Sequence, residues 1–252
     1  MVTVLLTALG VGGATVVGAL LGFGFKNITH RFSDIVLAFA AGVMLAAAVV
    51  GLILPSFEGA TPLGFAVSVV GIFCGAAVIN LLDKLVPHLH KLSGITTQDG
   101  EQMQQKRNKI LLFVLAIAIH NLPEGIAAGV GAGAGNPSDA LMVAGGIALQ
   151  NIPEGMVIIG PMLASGMSGR RTLLFALSTG LVEVVGTFLG YFAVSISAAV
   201  LPFALAFAGG AMLYVISDEM IPETHAHGSE RGATYALLVG FCLLLAFDFF
   251  IV

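Results

Sequence analysis

Long apolar runs separated by short polar gaps dominate the chain. Eight runs fall at roughly 2–25, 33–55, 62–83, 109–131, 138–163, 172–197, 201–220 and 232–252, each near the ~20 residues a membrane helix needs. Polar and apolar residues do not alternate within them, which argues against the strands of a transmembrane barrel. The pattern predicts an all-α, polytopic membrane protein of eight transmembrane helices, with 1–252 forming a single transmembrane domain. The one long polar stretch, 84–108, reads as a loop, and its middle, TTQDGEQMQQ, has the composition of a flexible segment.

The basic residues give the runs a direction. Lys26 and Arg31 lie between runs one and two. Lys84, Lys91, Lys106, Arg107 and Lys109 lie between three and four. Arg170 and Arg171 lie between five and six, and Arg231 between seven and eight. All ten fall in alternate gaps, so the positive-inside rule makes those gaps, including the 84–108 loop, cytoplasmic. Both termini are then expected outside. The first cation is Lys26, so the first run lacks the basic leader of a signal peptide and reads as a span.

Composition narrows the classes further. Of 252 residues, 58% are hydrophobic and 10% charged. An ordinary soluble domain carries about 25% charged residues. That excludes a soluble globular enzyme and a disordered chain. A net charge of −4 with no basic cluster also argues against a nucleic-acid partner. Cys74 and Cys242 sit in apolar runs and make no disulfide framework. Gly10, Gly13, Gly18 and Gly22 in the first run are the small residues that let membrane helices approach closely.

Two polar hexapeptides interrupt the fourth and fifth runs near their centres: His120-Asn121-Leu122-Pro123-Glu124-Gly125 and Gln150-Asn151-Ile152-Pro153-Glu154-Gly155. They repeat one pattern, a polar residue, Asn, an aliphatic, Pro, Glu, Gly. Adjacent spans run antiparallel, so the repeat implies a pseudo-two-fold axis in the membrane plane, where transporters commonly bind substrate. Residues i, i+3 and i+4 share a helix face, so His120, Asn121 and Glu124 project together, as do Gln150, Asn151 and Glu154. Pro123 and Pro153 should deprive the Ile119 and Leu149 carbonyls of their helical partners.

Glu183 adds a third carboxylate near the middle of run six. Burying each costs about 2.5–3.5 kcal/mol on insertion scales, and no Lys or Arg lies within the midspan segments to pair with them. An external cation is the simplest partner. Imidazole with carboxylates suits zinc, iron, manganese and similar divalent ions, and three carboxylates balance the charge of a binuclear site reasonably. Met44 lies at similar depth and reads either as core filling or as a soft ligand. Ser178 and Thr179 read as polar helix contacts.

The pair HNLPEG and QNIPEG, with AAGVMLAAAVVGLILPS in run two and GGAMLYVISDEMIPETHAHG in run seven, resembles the ZIP (Zrt-, Irt-like) family of divalent metal transporters, in its prokaryotic GufA-like branch. The resemblance spans essentially the whole chain. It implies a 3+2+3 arrangement with inverted repeats, and uptake of zinc and related ions (Fe²⁺, Mn²⁺, Cd²⁺ and Co²⁺ among them) toward the cytoplasm. It implies a first metal site of Met44, His120, Glu124, Gln150 and Glu154. A second would use Asn121, Asn151 and Glu183, with Glu124 and Glu154 as bridges. Some relatives carry Asp where Asn151 stands, so the second site is less charged here. The metal is cargo, and no resident cofactor is implied. The expected location is a bacterial cytoplasmic (inner) membrane. Association as a homodimer is compatible with the sequence.

At the outer end, Glu58 is a candidate for cation entry, and Asp139 reads as an entry residue or a helix cap. Asp34, Asp83, His88, His90, Asp218, Glu219, Glu223, His225 and His227 gather at the inner end, where the resemblance implies an exit route or transient metal site. Asp34 also reads as a cap beside Ser33, and His225 and His227 as solvated loop residues. The expected function is transport, not enzymatic. The rival, an intramembrane metal-dependent hydrolase, would need a second buried ligand histidine, and only His120 lies within a span.

Overall fold

The computed structural model describes residues 1–25, 29–92, 118–164, 167–196 and 198–251, with backbone alone over 85–92. All regular structure among them is helical. α1 is Val2–Gly22. α2 is His30–Phe57, with a π-helical stretch at Ala47–Ile53. α3 is Pro62–Leu92, and α4 is described over 118–133. α5 is Pro137–Val157, resuming after a turn at Ile158 as Ile159–Ala164. α6 is Gly169–Ile196. α7 is Leu201–Thr224, π-helical at Ile216–Met220, and α8 is Glu230–Ile251.

Among the described residues, six stretches are long and apolar enough to cross a membrane: Val2–Gly22, His30–Phe57, Pro62–Lys84, Gly169–Ser195, Leu201–Thr224 and Glu230–Phe250. They follow the runs read from the sequence. The third helix goes beyond its run to Leu92, so the start of the 84–108 segment is helical and the rest lies outside the described residues. Residues 109–117 of the fourth run lie outside them as well.

Local chemistry starts and bends these helices. Thr29 Oγ1 accepts the Phe32 amide at 3.2 Å and caps α2, so Asp34 is free for another role. Asn136 Oδ1 accepts the Ser138 amide at 3.1 Å and caps α5, with Pro137 in its first turn. Both π-helical stretches lead into a proline, Pro55 or Pro222. A proline ring clashes with the carbonyl four residues back and removes one hydrogen bond, and a widened turn absorbs both defects. Pro153, by contrast, lies inside continuous helix, and α5 breaks only at Ile158.

Large apolar side chains such as Leu63, Phe73, Leu189, Tyr235 and Phe249 face outward, while the interior is rich in alanine and glycine. That arrangement suits a lipid solvent, where close backbone packing rather than burial of bulk drives association. α1 packs on α5 and α6, α2 on α8 and α5, and α3 on α7. The tightest crossings are glycine to carbonyl. A Cβ on Gly42 would lie 1.9 Å from Leu237 O, and one on Gly240 2.1 Å from Phe39 O. The same exchange joins α3 to α7, with Gly75 at 2.0 Å from Phe207 O and Gly210 at 2.2 Å from Ile72 O. It recurs between α1 and α5 (Gly18 to Ile152 O, 2.1 Å; Gly155 to Thr15 O, 2.2 Å) and between α4 and α6 (Gly125 to Glu183 O, 2.3 Å; Gly186 to Leu122 O, 2.8 Å).

Candidate metal centre

α4 and α5 carry the two hexapeptides into the middle of the bundle, and α6 brings Glu183 to meet them. Asn121, Glu124, Gln150, Asn151 and Glu183 are all buried. Glu183 is the most heavily bonded. Its Oε1 accepts from Thr15 Oγ1 at 2.6 Å and from Asn121 Nδ2. Its Oε2 accepts from Asn151 Nδ2 at 2.7 Å, and that amide also reaches Val11 O at 3.2 Å. Glu124 Oε1 accepts from Gln150 Nε2 at 2.9 Å. His120 Nε2 pairs with Glu219 Oε2, on the π-helical stretch of α7.

These bonds leave a one-sided remainder. Glu124 Oε2, Gln150 Oε1, Asn151 Oδ1, Glu154 Oε1, Glu219 Oε1 and Asp34 Oδ2 are buried with no hydrogen-bond partner among the described residues. All six are oxygens, and carboxylate and amide oxygens are acceptors. Each buried acceptor left so costs about 1–3 kcal/mol, more where it is charged. No Lys or Arg occurs in 118–164 to offset them. A divalent cation answers several such oxygens at once, and oxygen donors beside imidazole suit borderline transition metals.

A cavity of about 790 Å³ connects this cluster to one end of the bundle. Its deep wall includes Thr15, His120, Asn121, Glu124 and Glu154, and its mouth includes His30, Asp34, Glu223 and His227. Asp218 and Glu219 line the passage between. Asp34 Oδ1 and His227 Nδ1 pair at 3.0 Å, and the His30 ring stacks on His227 at 4.7 Å between centroids. The mouth therefore opens at the end of the bundle where Arg31 and Arg231 lie.

The cluster joins most of the residues nominated from the sequence, in a different pairing. His120 turns to Glu219, a residue assigned to the exit route, while Glu183 takes its donors from a threonine and two asparagines. Among the described residues no three His, Cys, Asp or Glu side chains converge as a ready metal-ligand set. Met44 is fully buried in the apolar core and does not line the cavity. His225 is held by Ile221 O and by the Thr224 and Thr234 hydroxyls, away from the cavity wall. Asp83 and Glu58 are exposed and also stand off that wall. Side chains of His88, His90 and Asp139 lie outside the described residues. Ser178 and Thr179 bond to carbonyls of their own helix, Phe175 O and Ala176 O.

Sequence reasoning missed Thr15 and His30. Thr15 had a usable signal, a hydroxyl in the apolar middle of a span with a midspan carboxylate lacking a donor. His30 had none, since its place at the mouth comes from the stacking on His227.

An all-helical bundle with an apolar exterior, and a buried carboxylate and amide cluster open to one end, defines a polytopic membrane protein built to handle a cation. Residues 83–248 match the family model described as ZIP Zinc transporter. The chain is 47% identical to Zinc transporter GufA of Myxococcus xanthus over 178 residues, covering 71% of this chain and 68% of that protein. It is 38% identical to Zinc transporter ZIPB of Bordetella bronchiseptica over 247 residues, covering 93% and 77%. To the human Zinc transporter ZIP11 it is 32% identical, covering 94% and 93%. The chain belongs to the ZIP transporter family. It is an integral, multi-pass membrane protein, and the hydrolase alternative falls away because the family transports and does not catalyse.

Proposed function

We propose that zinc is the principal cargo and that it crosses to the cytoplasm through a binuclear centre at mid-membrane. Transport of divalent metal ions across a membrane follows from the family membership itself. The observation that carries the finer reading is the set of buried oxygens without donors, four of which belong to Glu124, Gln150, Asn151 and Glu154. His120, Glu124, Gln150 and Glu154, with Met44 as the sulfur ligand, make the first site. Asn121, Asn151 and Glu183 make the second, and Glu124 and Glu154 bridge the two. Both carboxylates of the repeated motif then serve both ions.

In this reading His120 exchanges Glu219 for metal. Glu219, released, becomes the first of a series of acids and imidazoles leading through Asp218 and Glu223 to Asp34, His30 and His227 at the mouth. Each step offers a ligand of the kind just left, so no ion waits on a dry wall. His225 and Asp83, off the cavity, are left out of the route.

The arrangement is eight spans in a 3+2+3 order with both termini outside. The matched glycine exchanges support the inverted repeat. Phe39 and Gly42, within AFAAGVML, do on α2 what Phe207 and Gly210, within AFAGGAML, do on α7. Thr15 and Gly18 on α1 have the same relation to α5 that Glu183 and Gly186 on α6 have to α4. The test is zinc influx into proteoliposomes. Glu154→Ala should abolish influx while eluting as a folded species, and unchanged influx would sink the assignment of the centre.

A further inference from the structure

A second concavity lies on the apolar outside of the bundle, away from the metal route. It has about 580 Å³, and no polar atom contributes to its surface. Its walls are Leu21 of α1, Ile35 and Phe39 of α2, and Val239 of α8; its floor is Ile152, Pro153 and Met156 of α5. The floor matters. Pro153 and Ile152 are the backs of the same turn whose front presents Asn151 and Glu154 to the metal cluster.

The chain is a membrane protein, so an outward apolar groove of this size is filled by the solvent of that face, a lipid chain. Charge selects among lipids. Arg31 stands four residues before Ile35, hence on the same face of α2, one turn nearer the cationic end of the bundle. It is exposed, and no acid of the described residues forms an ion pair with it. Beside it the Phe25 and Phe32 rings meet at 5.7 Å between centroids, and Phe25 also lines the groove. A hydrocarbon slot running from an aromatic pair and a free guanidinium down to the middle of the bundle has the layout of a phospholipid, chain below and phosphate above.

We propose that this groove is a binding site for an anionic phospholipid, with an acyl chain against Pro153 and Met156 and the headgroup at Arg31. The bound chain lies across four helices, α1 and α5 on one side and α2 and α8 on the other, along the contact of α2 with α5. It also braces from behind the turn that carries Glu154.

The chain contains no tryptophan, which gives a clean reporter. Phe39→Trp places a single indole in the groove, and Phe25→Trp is a second, more exposed version should the first fold poorly. Phe73→Trp puts the same probe on α3 at an exposed position outside the groove. Each variant is reconstituted in mixtures of phosphatidylcholine and phosphatidylglycerol, with brominated chains on one lipid or the other, and quenching is read as a relative binding constant. A groove reporter should favour phosphatidylglycerol about fivefold, equivalent to the ~1 kcal/mol one surface Arg contributes. Position 73 should give a constant near one. Arg31→Gln should return the groove value to near one while quenching by either brominated lipid persists. A constant near one at both groove positions means ordinary bilayer contact and overturns the proposal. So does equal preference at position 73, or a preference that survives Arg31→Gln.

Discussion

Thr15 gives the sharpest test of the centre, because it touches the cluster through a single atom. Its hydroxyl donates to Glu183 Oε1 at 2.6 Å, and the residue is 3% exposed. Thr15→Val keeps the shape and removes the bond. A hydrogen bond to a charged acceptor contributes about 1.5–3 kcal/mol, and Oε1 keeps its contact with Asn121, so the lower end applies, roughly 1.5–2 kcal/mol. If Glu183 holds a metal ion, the loss reaches the metal as well. Removing an orienting partner of a ligand typically costs about 10–100-fold in metal affinity. The assays are thermal unfolding in detergent with and without zinc, and the concentration dependence of zinc uptake in proteoliposomes. Thr15→Val should unfold earlier and need at least about tenfold more zinc for half-maximal uptake. Thr15→Ser, which keeps the hydroxyl, should recover most of both. The cycle with Glu183→Gln decides the cause, since two contacting residues must show a coupling term. An equal cost of Thr15→Val in wild-type and Glu183→Gln backgrounds would refute the reasoning.

Three further outcomes follow from the same geometry. Gly155→Ala places a Cβ 2.2 Å from Thr15 O, so α1 must leave α5, at about 1–3 kcal/mol or more; Gly13→Ala meets nothing within 4 Å and should be neutral, as read by folded yield on gel filtration. Asp34→Asn weakens the pair with His227 at the mouth; zinc uptake should slow roughly fivefold, equivalent to ~1 kcal/mol on the barrier, while thermal stabilisation by zinc stays unchanged. Glu154→Ala should lose both uptake and zinc stabilisation with folded yield retained, since the Glu154 Oε1 atom has no protein partner to lose.

Six of the spans and the two hexapeptides were legible because both are local. Hydrophobic length marks a membrane helix residue by residue, and i, i+3, i+4 spacing puts His120, Asn121 and Glu124 on one face without knowledge of any neighbour. What depended on a partner helix was not legible. Thr15 matters through a residue on α6, and Glu219 through the midspan histidine on α4. Asp34 read both as an exit-route residue and as a cap beside Ser33; Thr29 does the capping, and Asp34 is buried against His227. The π-helical turns had a local cause in Pro55 and Pro222, but the same residue type at 153 left its helix continuous.

The glycine contacts carry one more consequence, about where the bundle is stiff. Glycine-to-carbonyl exchanges tie α1 to α5 and α4 to α6, and Gly12 and Gly180 tie α1 to α6. They also tie α2 to α8 and α3 to α7. Between those two sets the contacts are of another kind. Gly51 of α2 meets the Met142 and Val143 side chains of α5, and Gly146 of α5 meets Leu244 of α8 and the Ala47 methyl of α2. Backbone locked against backbone tolerates almost no sliding, since a few tenths of an ångström brings atoms into overlap. Side chains, methionine above all, can repack as two surfaces shift. A seam of that character would let α1, α4, α5 and α6 shift against the other helices. Asn121, Glu124, Gln150, Asn151, Glu154 and Glu183 all ride on the first set, whereas Asp34, Asp218, Glu219 and Glu223 belong to the second. The pair between His120 and Glu219 bridges them. Sliding one set along the other would thus carry the whole carboxylate and amide cluster as a unit, and would break at the seam only contacts able to re-form.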